Sequence, residues 1–212
     1  MCGVFGFVAK DSGPLNLSIL KRIARVTERR GPHAWGLAWL TRHGRLCMYK
    51  QTGRIRDSLG LLSMAKDATM LIGHVRYATQ GDPANNLNNH PHPCDGGWIV
   101  HNGVIPNFRQ IITEHQLHSV TECDSEILGL LVEKLQGDLL TRCVDTANIA
   151  GERNLVMLGL WKPGRLIAVR RGNPLHVGET GRGYYLASLP DELPGQVHEV
   201  TNHQAVEFGD SA

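Results

Sequence analysis

Short apolar runs separated by Gly- and Pro-rich breaks dominate this chain, and their lengths suit strands better than long helices. CGVFGFVA at 2–9 reads as a strand. Residues 16–29 place Leu17, Leu20, Ile23, Ala24 and Thr27 on one helical face, with Asn16 or Ser18 as a cap and Gly31-Pro32 as the stop. GLAWL and LCMYK flank the turn-forming Thr41-Arg42-His43-Gly44 and predict a hairpin. A short helix is expected over 55–65, then a strand over TMLIGHVRYA, then a long loop, TQGDPANNLNNHPHPCDGG, without usable periodicity. WIVHNG returns as a strand, 108–116 and 124–135 give helical patterns, and 141–150 gives a weaker one. NLVMLGLW, RLIAVRR and YYLAS make the last third strand-rich. Strands fall in a first and a last block with helices between and near the start, which predicts an α+β architecture with antiparallel sheets. No repeat or linker interrupts the chain, so residues 1–212 are expected to form one domain.

Composition narrows the function classes more than the fold. Lys and Arg number 22 against 20 Asp and Glu, so no large positive field of the kind nucleic acid requires is present. The longest apolar stretches fall short of the roughly 20 residues of a spanning helix, and the start lacks the pattern of a signal peptide. No membrane association and a cytoplasmic location are therefore expected. Five cysteines, at 2, 47, 94, 123 and 143, are odd in number and show no Cys-X-X-Cys spacing, which speaks against a disulfide framework or a zinc ribbon.

Candidate chemistry sits in polar clusters spread along the chain: Met1-Cys2-Gly3, RRGPHAWG at 29–36, GHVRYATQGD at 73–82, HNG at 101–103 and ECDSE at 122–126. Each alone has an ordinary reading. Cys2 can be a small apolar residue opening a strand, His101-Asn102-Gly103 a hairpin turn, and Asp124 a helix N-cap.

Together and in this order, CGVFGF, RRGP..WG, GHVRYAT.G, N.HPH, VHNGVI.N and DSE resemble the glutaminase domain of class II glutamine amidotransferases. These are the N-terminal nucleophile hydrolases found in glucosamine-6-phosphate synthase, amidophosphoribosyltransferase and asparagine synthetase. The resemblance runs from Cys2 to about Ser188. It implies a four-layer αββα sandwich, two antiparallel sheets between helix layers, and hydrolysis of the side-chain amide of L-glutamine through a γ-glutamyl thioester on Cys2. It also implies no metal and no organic cofactor for that reaction.

The chemistry fits such an assignment. With Met1 excised, the new α-amino group would ordinarily titrate at about 7.7 to 8.0, suited to taking and returning a proton. A thiol of pKa about 8.5 is strongly nucleophilic as the thiolate. One residue then carries both nucleophile and base, whereas an internal cysteine has only an amide nitrogen. Gly3 is expected to let the backbone pass close to the substrate.

By resemblance, Asn102 and the Gly103 N–H would receive the oxyanion. Arg76 would hold the α-carboxylate of glutamine, Asp124 the α-ammonium, and Tyr77 and Thr79 would complete the substrate site, with Gln80 and Gly81 in a loop that closes over it. Arg30 and Gly31 would support the nucleophile, and His90, with His92, would lie on a histidine-bearing loop beneath the pocket.

His33, Tyr77 and Leu189 depart from positions where some relatives carry other residues. Relatives fuse this domain to an ammonia-consuming synthase or transferase, and nothing here reads as one, so a separate partner subunit is expected, docking near Cys2. Three other readings stand beside this one. The first is zinc held by His90, His92 and Cys94 with His74 and His101 in neighbouring strands, the second a glutamine sensor or scaffold without turnover, and the third a hydrolase of another amide. GETGRG at 178–183 lacks the ending of a phosphate loop and precedes a strand, so it reads as a turn. Trp35, Trp39, Trp98 and Trp161 are expected in the core or the pocket wall.

Overall fold

The computed structural model describes residues 1–209 apart from Ser12, Pro14 and Glu152; residues 210–212 of the expected domain also lie outside the described residues. Twelve strands are described, in two wholly antiparallel sheets. They are β1 (Gly3–Ala9), β2 (Ala34–Thr41), β3 (Leu46–Thr52), β4 (Ala68–Arg76), β5 (His92–Cys94), β6 (Gly97–Asn102), β7 (Leu155–Trp161), β8 (Arg165–Arg171), β9 (His176–Thr180), β10 (Gly183–Ala187), β11 (Gln196–Glu199) and β12 (Ala205–Gly209). The seven-stranded sheet runs β11-β9-β10-β1-β4-β2-β3 and the five-stranded sheet β12-β8-β7-β6-β5. Four α-helices accompany them: α1 (Leu17–Thr27), α2 (Phe108–Glu114), α3 (Glu126–Lys134) and α4 (Leu139–Ala150).

The period-two alternation of the strands decides the layering. Phe5 and Phe7 of β1, Trp35 and Leu37 of β2 and Leu71 and Val75 of β4 face α1 and the 3-10 segment Ile55–Ala65. Their neighbours Val4, Val8, Ala38, Leu40, Met70 and Ile72 face the second sheet, where Val100, Val156, Leu158, Leu160, Leu166 and Ala168 meet them. On the far side of that sheet, Ile99, Leu155, Met157, Ile167 and Val169 pack on α2, α3 and α4. The order of layers is therefore helix, sheet, sheet, helix, the sandwich the sequence resemblance implies. Strands such as β1 and β7 read as nearly continuous apolar runs because both of their faces are covered.

Asn16 caps α1, its side chain accepting from the N–H groups of Ser18 and Ile19. The expected hairpin is β2–β3, paired from Ala34 with Thr52 to Leu40 with Leu46. Several expectations need correction. The loop at 79–97 holds a 3-10 turn, Asn86–Asn88, and the short strand β5, which its prolines concealed. Strands β9, β11 and β12 have no counterpart among the expected elements: all three are short, β11 and β12 lie at sheet edges, and β9 runs between β11 and β10. Trp35, Trp39 and Trp161 are core residues and Trp98 packs at the inter-sheet layer, so none lines the pocket described below. Among the described residues no helix is long and apolar enough to cross a membrane.

Candidate active site

Cys2 precedes the central strand β1, whose Gly3 and Val4 pair with Val75 and His74 at the end of β4. That pairing delivers the thiol to the backbone beyond Arg76. Cys2 Sγ accepts from the Tyr77 N–H at 3.3 Å and lies 3.5 Å from the Tyr77 carbonyl. Burial pushes the Cys2 thiol up from its ordinary value, opposed by the Tyr77 N–H, the N-terminal ammonium and Arg76. Arg30 donates from Nε to the Cys2 carbonyl at 2.7 Å, which fixes the residue from its main-chain side. Ser188 does the same two residues on, donating its N–H to the Val4 carbonyl at 2.9 Å and accepting from Val4 N through its hydroxyl at 3.0 Å.

Two glycines permit this assembly. A Cβ on Gly31 would stand 2.4 Å from the Arg76 carbonyl carbon, so the strand of residues leaving α1 can lie directly against the Arg76-Tyr77 backbone. A Cβ on Gly3 would stand 2.5 Å from Thr27 Cγ2. Gly3 thus lets α1 close onto β1, and the expected approach of its backbone to a substrate is not what its missing side chain serves.

From the second sheet, β6 ends at Asn102 in a cavity of about 300 Å³ lined by Met1, Cys2, Tyr77, Thr79, Asn102, Gly103, Val104, Asn154 and Asn173. The Asn102 side chain is 1% exposed, and neither its Oδ1 nor its Nδ2 has a hydrogen-bond partner. A buried amide left so costs about 1–3 kcal/mol for each unsatisfied group, and it faces the cavity shared with Cys2. The hairpin reading of residues 101–103 fails, because β6 pairs with the distant β7 and the chain after Gly103 runs on to α2.

Behind Asn102, Asn173 donates Nδ2 to the carbonyls of Asn102 at 2.9 Å and Asn154 at 2.7 Å. Sequence reasoning missed both asparagines. Asn173 sits in Arg-Gly-Asn-Pro, which reads as ordinary turn chemistry.

The residues expected to read an amino-acid head group are buried beside the cavity. Arg76 donates to Asn89 Oδ1 at 2.8 Å, to the Gly81 carbonyl at 2.9 Å and to the Gln80 carbonyl, so its guanidinium holds the loop that follows Thr79. Asp124 is not the N-cap of α3: Ser125 occupies that place, and Asp124 Oδ2 accepts from Ile105 N at 2.7 Å. His101 lies between these parts. Its Nδ1 lies 2.8 Å from Ser125 Oγ, which in turn lies 3.4 Å from Asp124 Oδ1. Burial pushes His101 down to about 4, so the ring is neutral.

His33 accepts from Ala78 N at 3.0 Å through Nδ1, and its ring lies 4.9 Å from that of Tyr77. This departure from the family pattern therefore shapes the turn over Cys2. Tyr77 is half exposed at the cavity rim.

His90 is buried beneath Arg76, stacked on His74 at 3.8 Å and edge-on to His92 at 4.7 Å. His74 and His101 are not on neighbouring strands. They face one another across the two sheets, with His74 Nε2 3.0 Å from the His101 carbonyl. Cys94 lies in the helix-side core instead of beside the histidines. A larger cavity of about 820 Å³ opens elsewhere, around Lys10, Met70, Glu179 and Phe208, and its lining includes the Lys10–Glu179 ion pair and no cysteine.

No protein-family model matches the chain. Curated relatives do. The glutamine–fructose-6-phosphate aminotransferase (isomerizing) of Aquifex aeolicus is 35% identical over 205 residues, covering 92% of this chain and 33% of the relative. That of Clostridium perfringens is 31% identical over 216 residues, covering 98% and 35%. The chain thus spans about a third of the length of the curated relatives it matches. Among solved structures, the glutamine phosphoribosylpyrophosphate amidotransferase of B. subtilis superposes with a TM-score of 0.74 at 21% identity, over 98% of this chain and 49% of that one. A glutamine aminotransferase class-II domain protein from Silicibacter pomeroyi gives 0.62 at 16% identity, over 98% of both chains. In sequence and in its two-sheet fold the chain belongs to the class II glutamine amidotransferase family, whose amidotransferase domains carry an N-terminal cysteine nucleophile.

Proposed function

We propose that this protein hydrolyses the side-chain amide of L-glutamine and passes the ammonia to an acceptor reaction. Excision of Met1 removes part of the cavity lining and turns the Cys2 nitrogen into a free amine. That amine takes the thiol proton as the sulfur attacks the amide carbon. The oxyanion forms against the Asn102 amide and the Gly103 N–H, then collapses with cleavage of the C–N bond, and the amine returns its proton to the departing ammonia. Water next attacks the γ-glutamyl thioester and releases glutamate, regenerating the thiol.

Asp124 holds the α-ammonium. Arg76 holds the α-carboxylate, which takes the place of the Gln80 and Gly81 carbonyls as the loop re-seats. Tyr77 and Thr79 border the bound substrate, and Arg30, Gly31 and His90 support the site. No metal or organic cofactor enters these steps.

The observation that carries this reading is the Asn102 amide, buried with both polar atoms unpartnered in the same cavity as Cys2. A donor that costs free energy in the resting protein is explained by an anion that forms only during reaction. We read residues 1–212 as one amidotransferase unit and assign the ammonia-consuming chemistry to a synthase or transferase partner subunit. In support, the greater part of each matched aminotransferase lies outside the region shared with this chain. A reducing cytoplasm suits the five free cysteines.

Intact mass spectrometry before and after treatment with the glutamine-like diazoketone 6-diazo-5-oxo-L-norleucine tests the proposal. The expected species lacks Met1 and carries one adduct, which Cys2→Ala abolishes. Glutamine turnover at full rate by protein that retains Met1 would overturn it. Co-purification of a synthase or transferase with the native protein tests the partner.

A further inference from the structure

The histidines beneath Arg76 have a partner that the sequence does not place beside them. His90, His92 and Cys123 bring two ring nitrogens and one sulfur within 4.8 Å of one another. All three residues are at least nine-tenths buried, and all four ring nitrogens of the two histidines lack a hydrogen-bond partner. A neutral imidazole carries an N–H on one nitrogen and a lone pair on the other. Two such rings left together without acceptors or donors cost about 1–3 kcal/mol for each unsatisfied group. The glutaminase chemistry gives Cys123 and His92 no role.

From this cluster we propose a binding site for a soft monovalent metal cation, Cu(I), held by His90, His92 and Cys123. The ligands come from two segments that the fold already clamps together. Asn88 Nδ2 donates to Glu122 Oε2 at 3.0 Å, and Glu122 N returns a bond to Asn88 Oδ1 at 2.9 Å, so the loop carrying the histidines is tied to the turn carrying the cysteine. Lys50 steadies the same loop by donating to the carbonyls of Asn89 at 2.7 Å and Pro91 at 3.2 Å.

Ligand softness and charge select the ion. A thiolate with two imidazoles suits Cu(I) and Zn(II) alike. Lys50 and Arg76 lie close enough to act electrostatically on His92. Asp124 Oδ1 lies 3.8 Å from Cys123 Sγ and Glu126 acts on Lys50, so two carboxylates already balance the two cations; one thiolate with Cu(I) leaves that balance unchanged, whereas Zn(II) would add a buried positive charge. On binding, the Cys123 S–H bond breaks, a Cu–S bond forms, and the proton leaves to solvent. No change of oxidation state occurs.

The test uses the full chain with Cys2→Ala, so that the thiol in the substrate cavity does not compete. Anaerobic titration with Cu(I) against bicinchoninate is expected to show one ion per chain. Cys123→Ser should weaken binding by at least about a hundredfold, beyond the ten- to hundredfold typical of outer-sphere changes, and Cys47→Ser should leave it unaltered. X-ray absorption at the copper edge of the parent protein should report one sulfur and two nitrogen ligands, a readout that does not depend on how the variants fold. Failure to hold Cu(I) against the competitor, affinity indifferent to Cys123→Ser, tighter retention of Zn(II), or a sulfur-free copper environment would each overturn the assignment.

Discussion

The Asn173 side-chain amide donates to the Asn102 main-chain carbonyl at 2.9 Å, so a residue from the turn between β8 and β9 sets the position of the last residue of β6. Asn173→Leu leaves the carbonyls of Asn102 and Asn154 without this donor. It is expected to destabilise the fold by about 1–3 kcal/mol per lost bond and to lower kcat for glutamine more than it raises KM. Urea unfolding and steady-state kinetics on the same preparation check both effects. The conservative Asn173→Asp, which keeps the shape and removes the donors, should behave like the leucine variant in kcat.

Asn102→Ala separates activity from stability. Loss of one oxyanion donor is expected to reduce kcat by about 10² to 10³. The same change removes two buried polar atoms that have no partner, so thermal stability should hold or rise. A large fall in both would show that Asn102 is structural.

Asp124→Asn keeps an oxygen acceptor for the Ile105 N–H, seen at 2.7 Å, and removes the charge that the proposed mechanism assigns to the substrate ammonium. A hydrogen bond to a charged group is worth about 1.5–3 kcal/mol, so KM for glutamine should rise by roughly ten- to a hundredfold with a smaller change in kcat. Michaelis curves on the Met1-processed variant measure it.

Acid stability should report His101. Its folded value of about 4 lies below the ordinary 6.5, so between those values the unfolded chain binds a proton that the folded protein does not. The contribution of this neutral, buried ring is therefore full above about pH 6.5 and is lost as pH falls towards 4, by up to about 1.4 kcal/mol per pH unit. Urea titrations across that range should show a shallower pH dependence in His101→Gln than in the parent.

The main strands were legible in the chain because short apolar runs bounded by Gly and Pro mark buried strands, whereas the four-layer order was implied by the family resemblance. The runs at 2–9, 69–78 and 154–161 could be read as strands, and a strand's period of two then puts Phe5 and Val4, or Met157 and Leu158, on opposite faces. β5, β9, β11 and β12 were not legible, since a short or edge strand is held by its neighbour's hydrogen bonds more than by its own pattern.

By itself the sequence determined a cysteine at the second position, an α+β chain with strands in two blocks, and a set of motifs shared with a known family. Only the tertiary structure decided what each polar group meets. It turned Gly3 towards α1, gave the Arg76 donors to the loop at Gln80 and Gly81, left Asn102 unpartnered in the cavity, and put Cys123 in place of Cys94 beside His90 and His92. Periodicity is a property of neighbours along the chain, whereas these contacts join residues from 4 to more than 30 positions apart. They are fixed by strand register and loop closure, which no local pattern encodes.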